Sequence, residues 1–119
     1  MTPPALDPAF VKLPLAHRGL HDGAARPENS AAAIQAAIDH GYGIELDVQL
    51  SGDMRAMVFH DDTLDRLTPA NGPVNAIASD ALRQLPLAGG SQTIPTLRAI
   101  LEQVAGQVPL LVEIKDQDH

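Results

Sequence analysis

The chain has 119 residues, the length of one domain, and its 8 basic and 15 acidic side chains give a formal net charge of −7. This balance argues against non-specific nucleic-acid binding, because no basic stripe is present to release counterions from phosphates. Cysteine is absent, which excludes disulfides and thiolate metal sites.

The N-terminal region shows neither a secretory signal nor a membrane span. Residues 1–15 contain four prolines and no long apolar run, so we expect no stable membrane insertion and take a cytoplasmic protein as the default. Residues 1–12 are predicted to be a loosely ordered lead-in, and the apolar run 13–16 is predicted to be a first strand that ends at His17.

The next two elements are a helix and a strand. Ser30 is a predicted N-cap for a helix over residues 31–40, and Gly41 occupies the position where a left-handed cap is needed. Residues 43–50 alternate as a strand, which places Glu45 and Asp47 on one face. A turn at 51–53 and a returning strand over 54–60 bring His60 back to the level of Glu45.

The second half begins with an irregular stretch, about 62–94, that we interpret as an insertion over one face, with one short helical segment near 79–85. Thr96 then caps an amphipathic helix that Gly106 ends. Residues 110–115 form a further predicted strand, with Glu113 and Lys115 on one face. Helices between strands predict an α/β fold with a parallel sheet.

Three carboxylates are predicted to meet at one end of this sheet: Glu45, Asp47 and Glu113. Crowded carboxylates repel each other unless they are protonated or bound to a cation. Ligation by oxygen alone favours Mg²⁺, Ca²⁺ or Mn²⁺ over zinc. The alternative is that Glu45 and Asp47 are solvent-facing residues of an edge strand.

His17 and His60 are the candidate acid and base, since both lie at strand ends and imidazole exchanges protons near neutral pH. The alternative for a histidine at a strand end is a structural role. Asp61 and Asp62 either orient His60 or are simply exposed loop residues. His21 and His40 are interpreted as structural or solvent-facing, and His119 carries no prediction.

Arg18 and Lys115 are candidate substrate contacts. An arginine beside His17 suits two-pronged binding of phosphate oxygens, and Lys115 adds a second positive charge on the face of Glu113. Ion pairing with the nearby carboxylates explains both side chains equally well, and the two roles are compatible.

Six segments, in this order and spacing, resemble the glycerophosphodiester phosphodiesterase family, in its N-terminal half. They are LAHRG (15–19), PENS (27–30), IELDV (44–48), VFHDD (58–62), IPTL (94–97) and LVEIK (111–115). The resemblance implies a TIM (β/α)8 barrel that hydrolyses glycerophosphodiesters to glycerol 3-phosphate and an alcohol.

The resemblance also implies roles for individual residues. His17 and His60 would be the catalytic acid and base, and Arg18 a phosphate contact. Glu45, Asp47 and Glu113 would be the metal ligands. Glu28 and Asn29 match the PEN segment and would support the site, while residues 62–94 would match an insertion that helps to shape the substrate cleft.

A barrel of this type needs roughly 250 residues and eight strands, whereas this chain offers three core strands. We therefore expect it to be the first half of a longer protein. If it folds alone, two or more copies are expected to cover the open sheet edges. Two alternatives remain: a phospholipase D-like activity on lysolipids, and a catalytically inactive metal-binding or oligomerising fragment.

Overall fold

A computed structural model describes residues 14–117, and the expected lead-in 1–12, Leu13 and His119 lie outside that range. Strands and helices alternate along the chain in the predicted order. The elements are β1 Leu15–His17, α1 Ala31–Asp39, β2 Gly43–Leu50, β3 Ala56–Val58, a 3₁₀ turn Val74–Ala76, α2 Ser79–Leu82, α3 Leu97–Val104 and β4 Leu110–Ile114.

The sheet is built around β2, which has partners on both sides. β1 and β4 run parallel to it on opposite edges, and β3 pairs antiparallel with its last residues, with Val48 opposite Val58. The predicted parallel α/β sheet is therefore confirmed, and β2 is a central strand. The returning strand is shorter than the predicted 54–60, since its ladder covers only Ala56–Val58.

Both longer helices begin as the sequence predicts. The hydroxyl oxygen of Ser30 accepts a hydrogen bond from the Ala33 amide at the start of α1, and that of Thr96 accepts one from the Ala99 amide at the start of α3. After α1, Gly41 is left-handed with φ +71°. The end of α3 comes one residue earlier than predicted, because Ala105 already adopts a left-handed conformation before Gly106.

Two separate hydrophobic clusters hold the fold together. The first lies between the sheet and helices α1 and α3; it contains Ala16, Ile34, Ala37, Ile44, Leu46, Val48, Val58, Ile100 and Val104. The second is formed by β3 and the following irregular segment; it contains Met57, Phe59, Leu64, Val74, Leu82, Leu87 and Ile94. The stretch predicted as an insertion therefore has a core of its own, and its status as an insertion stays a prediction.

Among the described strands, β4 pairs only with β2, so its other edge is uncovered in this part of the chain, as expected from the small number of strands. Leu111 and Val112 are exposed, and Ile114 is 82% accessible to solvent. Within residues 14–117, no helix is both long enough and apolar enough to cross a bilayer.

Candidate active site

The three predicted carboxylates converge. Alternation along β2 puts Glu45 and Asp47 on one face, and the parallel register places Glu113 of β4 opposite Asp47. One oxygen from each side chain lies within 4.8 Å of the others. Asp47 is only 1% exposed and Glu45 13%, so the interpretation of these two as solvent-facing residues of an edge strand is wrong.

The negative charge of Glu45 is buried without compensating hydrogen bonds from residues 14–117. Both of its side-chain oxygens are buried and accept no hydrogen bond from the described part of the chain, although His17 Nε2 lies 3.3 Å from Oε2. Burial, and then the neighbouring charge of Asp47, raise the pKa of Glu45 above its usual value. Buried carboxylate oxygens without donors, next to two more carboxylates, are suited to a hard divalent cation.

Arg18 lies against this cluster. Its Nη1 donates a 3.0 Å hydrogen bond to Glu28, while its Nε lies 3.6 Å from Asp47 Oδ2 and has no hydrogen-bond partner. The expected ion pairing of Arg18 is therefore confirmed. Its Nε–H is buried without an acceptor among residues 14–117, and its role as a phosphate contact stays a prediction.

A strained backbone turn places Arg18 beside the carboxylates. Arg18 has φ +59° and its amide donates to the Glu45 carbonyl at 2.7 Å, and Asn29, with φ +58°, donates its amide to the Arg18 carbonyl. Gly19 follows with φ +79°, and a Cβ atom there would lie 2.9 Å from Ala33. Only glycine fits both conditions, so the turn depends on it.

The PEN segment contacts the same cluster. Asn29, which is buried, donates from Nδ2 to Asp47 Oδ2 at 3.1 Å, while its Oδ1 is buried without a partner. Glu28 accepts the hydrogen bond of Arg18. These contacts agree with the supporting positions that the resemblance implied, although the roles themselves stay predictions.

The two candidate histidines differ in their surroundings. His17 is 66% exposed and lies beside Glu45. His60 is 30% exposed and follows β3, where the Phe59 amide bonds to the Asp47 carbonyl. His60 Nδ1 lies 2.8 Å from Asp61 Oδ1, so Asp61 contacts His60 as one hypothesis proposed.

Arg66 is a residue of this site that the sequence did not reveal. Its guanidinium donates hydrogen bonds of 2.8–3.0 Å to both Asp61 and Glu28. These bonds lower the pKa of Asp61 to about 2. Burial alone would raise the pKa of Glu28, but hydrogen bonds and charge from Arg66, together with the charge of Arg18, lower it.

The remaining predicted residues are not among the three clustered carboxylates. Lys115 follows β4, with its amide bonded to the Val48 carbonyl, and within residues 14–117 its side chain forms no ion pair. His40 lies 2.8 Å from the Ala36 carbonyl through Nδ1, in agreement with a structural role, and His21 and Asp62 are exposed.

Comparison with known protein families identifies the family of this chain. The family model described as the glycerophosphoryl diester phosphodiesterase family matches residues 17–119. The chain belongs to this family. It is 39% identical over 111 residues to the glycerophosphodiester phosphodiesterase of Caldanaerobacter subterraneus, covering 87% of this chain and 44% of that protein.

Solved structures of phosphodiesterases of this family share the fold. A phosphodiesterase from Oleispira antarctica in complex with the product sn-glycerol-3-phosphate has a TM-score of 0.79 and 36% identity, covering 90% of this chain and 47% of that one. The glycerophosphodiester phosphodiesterase of Agrobacterium tumefaciens has a TM-score of 0.77 and 36% identity, covering 87% and 47%. The fold is thus part of the family's TIM barrel, and the chain spans about half the length of these relatives.

Proposed function

We propose that the protein hydrolyses glycerophosphodiesters to glycerol 3-phosphate and an alcohol. Family membership supports this reaction class, and so does the similarity to a phosphodiesterase solved with sn-glycerol-3-phosphate. The observation that carries the proposal is the group of three carboxylates, with buried and unpartnered Glu45 oxygens beside the imidazole of His17.

The carboxylates fit a resident divalent cation. Glu45, Asp47 and Glu113 offer only oxygen donors, which favours Mg²⁺, Ca²⁺ or Mn²⁺. Such a cation, when bound, supplies positive charge for the phosphate oxygens of the substrate. It would also remove the cost of burying Glu45 without hydrogen-bond donors.

The side chains of the chain itself then divide the remaining work. Arg18, whose guanidinium lies against Asp47, is assigned to the negative charge of the phosphate. His60 has its Nδ1 engaged by Asp61, which leaves Nε2 to hold or accept a proton. One of the two histidines, His17 and His60, takes the proton of the attacking hydroxyl or water. The other protonates the leaving oxygen.

Alanine variants of the two histidines test this assignment. We expect His17→Ala and His60→Ala each to lower the turnover of glycerophosphocholine at least about 100-fold, because acid–base catalysis contributes that much. Calorimetric cation affinity should change little, since the ligands are carboxylates. His40→Ala is the matched control, because its ring contacts a helix carbonyl away from the cluster. Near-native turnover by either variant would contradict the assignment.

Product analysis separates the alternatives. Release of glycerol 3-phosphate from glycerophosphocholine supports the proposal, whereas turnover confined to lysophospholipids would favour the phospholipase D-like alternative. Cation binding without hydrolysis of either substrate would favour an inactive metal-binding fragment. Cytoplasmic location and self-association through the uncovered β4 edge stay predictions.

A further inference from the structure

Arg66 connects two parts of the site that are distant in sequence. It lies in the irregular segment after β3, yet its Nε and Nη2 donate to the two oxygens of Asp61, and its Nη1 and Nη2 to those of Glu28. The guanidinium therefore binds both carboxylates in the two-pronged geometry that arginine favours. Because Nη2 lies 3.0 Å from an oxygen of each, those two oxygens are at most about 6 Å apart.

Each carboxylate in turn contacts a residue of the proposed chemistry. Asp61 lies 2.8 Å from His60 Nδ1, and Glu28 accepts the hydrogen bond of the Arg18 guanidinium. An ionised carboxylate only accepts hydrogen bonds, so Asp61 favours the His60 tautomer with hydrogen on Nδ1 and leaves Nε2 as the site of proton exchange. A fixed Asp61 therefore determines which nitrogen of His60 is available.

The loop that carries Arg66 is itself anchored. Leu64 is fully buried in the second hydrophobic cluster, and Leu67 packs against that cluster. Arg66 is held between these two anchors while its own side chain remains half-exposed. The backbone position of the guanidinium is thus fixed by packing, independently of its hydrogen bonds.

We propose that Arg66 is a positioning residue that orients His60 through Asp61 and Arg18 through Glu28. The proposal deepens the proposed function and rests on it for the kinetic part of its test. Lysine cannot replace this residue, because a single ammonium cannot bind both oxygens of two carboxylates in fixed directions. Without Arg66, the adjacent negative charges of Glu28 and Asp61 repel each other and lose their shared donor.

The test compares Arg66→Ala and Arg66→Lys with wild-type protein, using glycerophosphocholine as substrate. We expect both variants to lower kcat by about 10- to 100-fold, as losses of orienting contacts around a site typically do, with KM changed by a smaller factor than kcat. Arg98→Ala is the matched control, because Arg98 pairs with a single exposed carboxylate, Glu102, and should retain wild-type kinetics.

A spectroscopic readout follows His60 directly. Long-range ¹H–¹⁵N correlation spectra of the imidazole, assigned with His60→Ala, should show hydrogen on Nδ1 in wild-type protein and a mixture of tautomers in Arg66→Ala. Arg66→Lys should show the same mixture, which covers the case in which Arg66→Ala does not fold. Asp61→Asn should shift the tautomer without removing Arg66 and so tests the contact between Asp61 and His60. A change in overall stability alone would not produce this selective change.

The outcomes separate the two proposals. If wild-type protein does not hydrolyse glycerophosphocholine, the proposed function fails, and the tautomer of His60 still decides the role of Arg66. An unchanged tautomer in Arg66→Ala or in Arg66→Lys overturns the positioning role, whatever Asp61→Asn shows. A kinetic loss that lies entirely in KM, or full activity of Arg66→Lys, also overturns it.

Discussion

Replacing Glu45 by glutamine should stabilise the cation-free protein while abolishing its response to cations. Glu45 is buried beside Asp47 and Glu113, and neither of its oxygens accepts a hydrogen bond. Glutamine has nearly the same shape, removes one negative charge, and supplies an amide that can donate to the neighbouring carboxylates. The raised pKa of Glu45 points in the same direction, since burial already disfavours its charged form.

The magnitude follows from the spacing of the carboxylates. Two negative charges 4.8 Å apart repel by about 3.5 kcal/mol at an effective dielectric constant of 20. Arg18 near Asp47 and the exposure of Glu113 offset part of that cost. We therefore expect Glu45→Gln to raise the free energy of unfolding by about 1–2 kcal/mol, or the midpoint temperature by about 5 °C.

Thermal unfolding in chelator and in added Mg²⁺ or Ca²⁺ measures both effects. A cation at 100 times its dissociation constant stabilises wild-type protein by about 2.7 kcal/mol, and this increment should be largely absent from Glu45→Gln. Glu102→Gln, an exposed glutamate on α3, is the control and should shift stability by less than about 0.5 kcal/mol. If Glu45→Gln were less stable than wild type in chelator, or gained as much from the cation, the reasoning would be refuted.

Two further predictions concern the residues around the cluster. The pKa of Asp61 falls from 3.8 to about 2 on folding, so its contribution to stability is present above about pH 4 and is lost as the pH falls toward 2. Asp61→Asn should therefore lower the free energy of unfolding by about 1–2 kcal/mol near neutral pH. Urea titrations should show this difference closing in acid, whereas a difference independent of pH would contradict the linkage. Gly19→Ala should destabilise the protein by about 2 kcal/mol or more, because φ +79° and contact with Ala33 both oppose a Cβ atom, and an unchanged unfolding midpoint would show that the turn does not need glycine.

The carboxylate cluster could be predicted because it depends on two regular patterns. The period of two along β2 places Glu45 and Asp47 on one face, and a parallel neighbour with the same period brings Glu113 to the same face. The place of His60 at the level of Glu45 stays a prediction, and only the hairpin before it is confirmed. Its ladder ends at Val58 rather than at His60, because the chain turns toward the second hydrophobic cluster through the buried Phe59.

Arg66 and the turn at Arg18 had no such pattern to reveal them. Arg66 bonds Glu28 across 38 positions of sequence, and this pairing exists only after the irregular segment has packed. The left-handed conformation of Arg18 runs against the ordinary preference of non-glycine residues, whereas Asn29 belongs to a residue type that adopts it more readily. Tertiary hydrogen bonds to the Glu45 and Arg18 carbonyls hold them in place.

Under the proposed role of Arg66, turnover also depends on the packing of the second hydrophobic cluster. Leu64 anchors the loop that carries Arg66, and Leu82 belongs to the same cluster without touching the sheet core around Ile44. A cavity introduced at Leu82 would loosen that loop first and leave the β2 ladder in register. The expected result is slower turnover in a protein whose main sheet still unfolds in one cooperative transition.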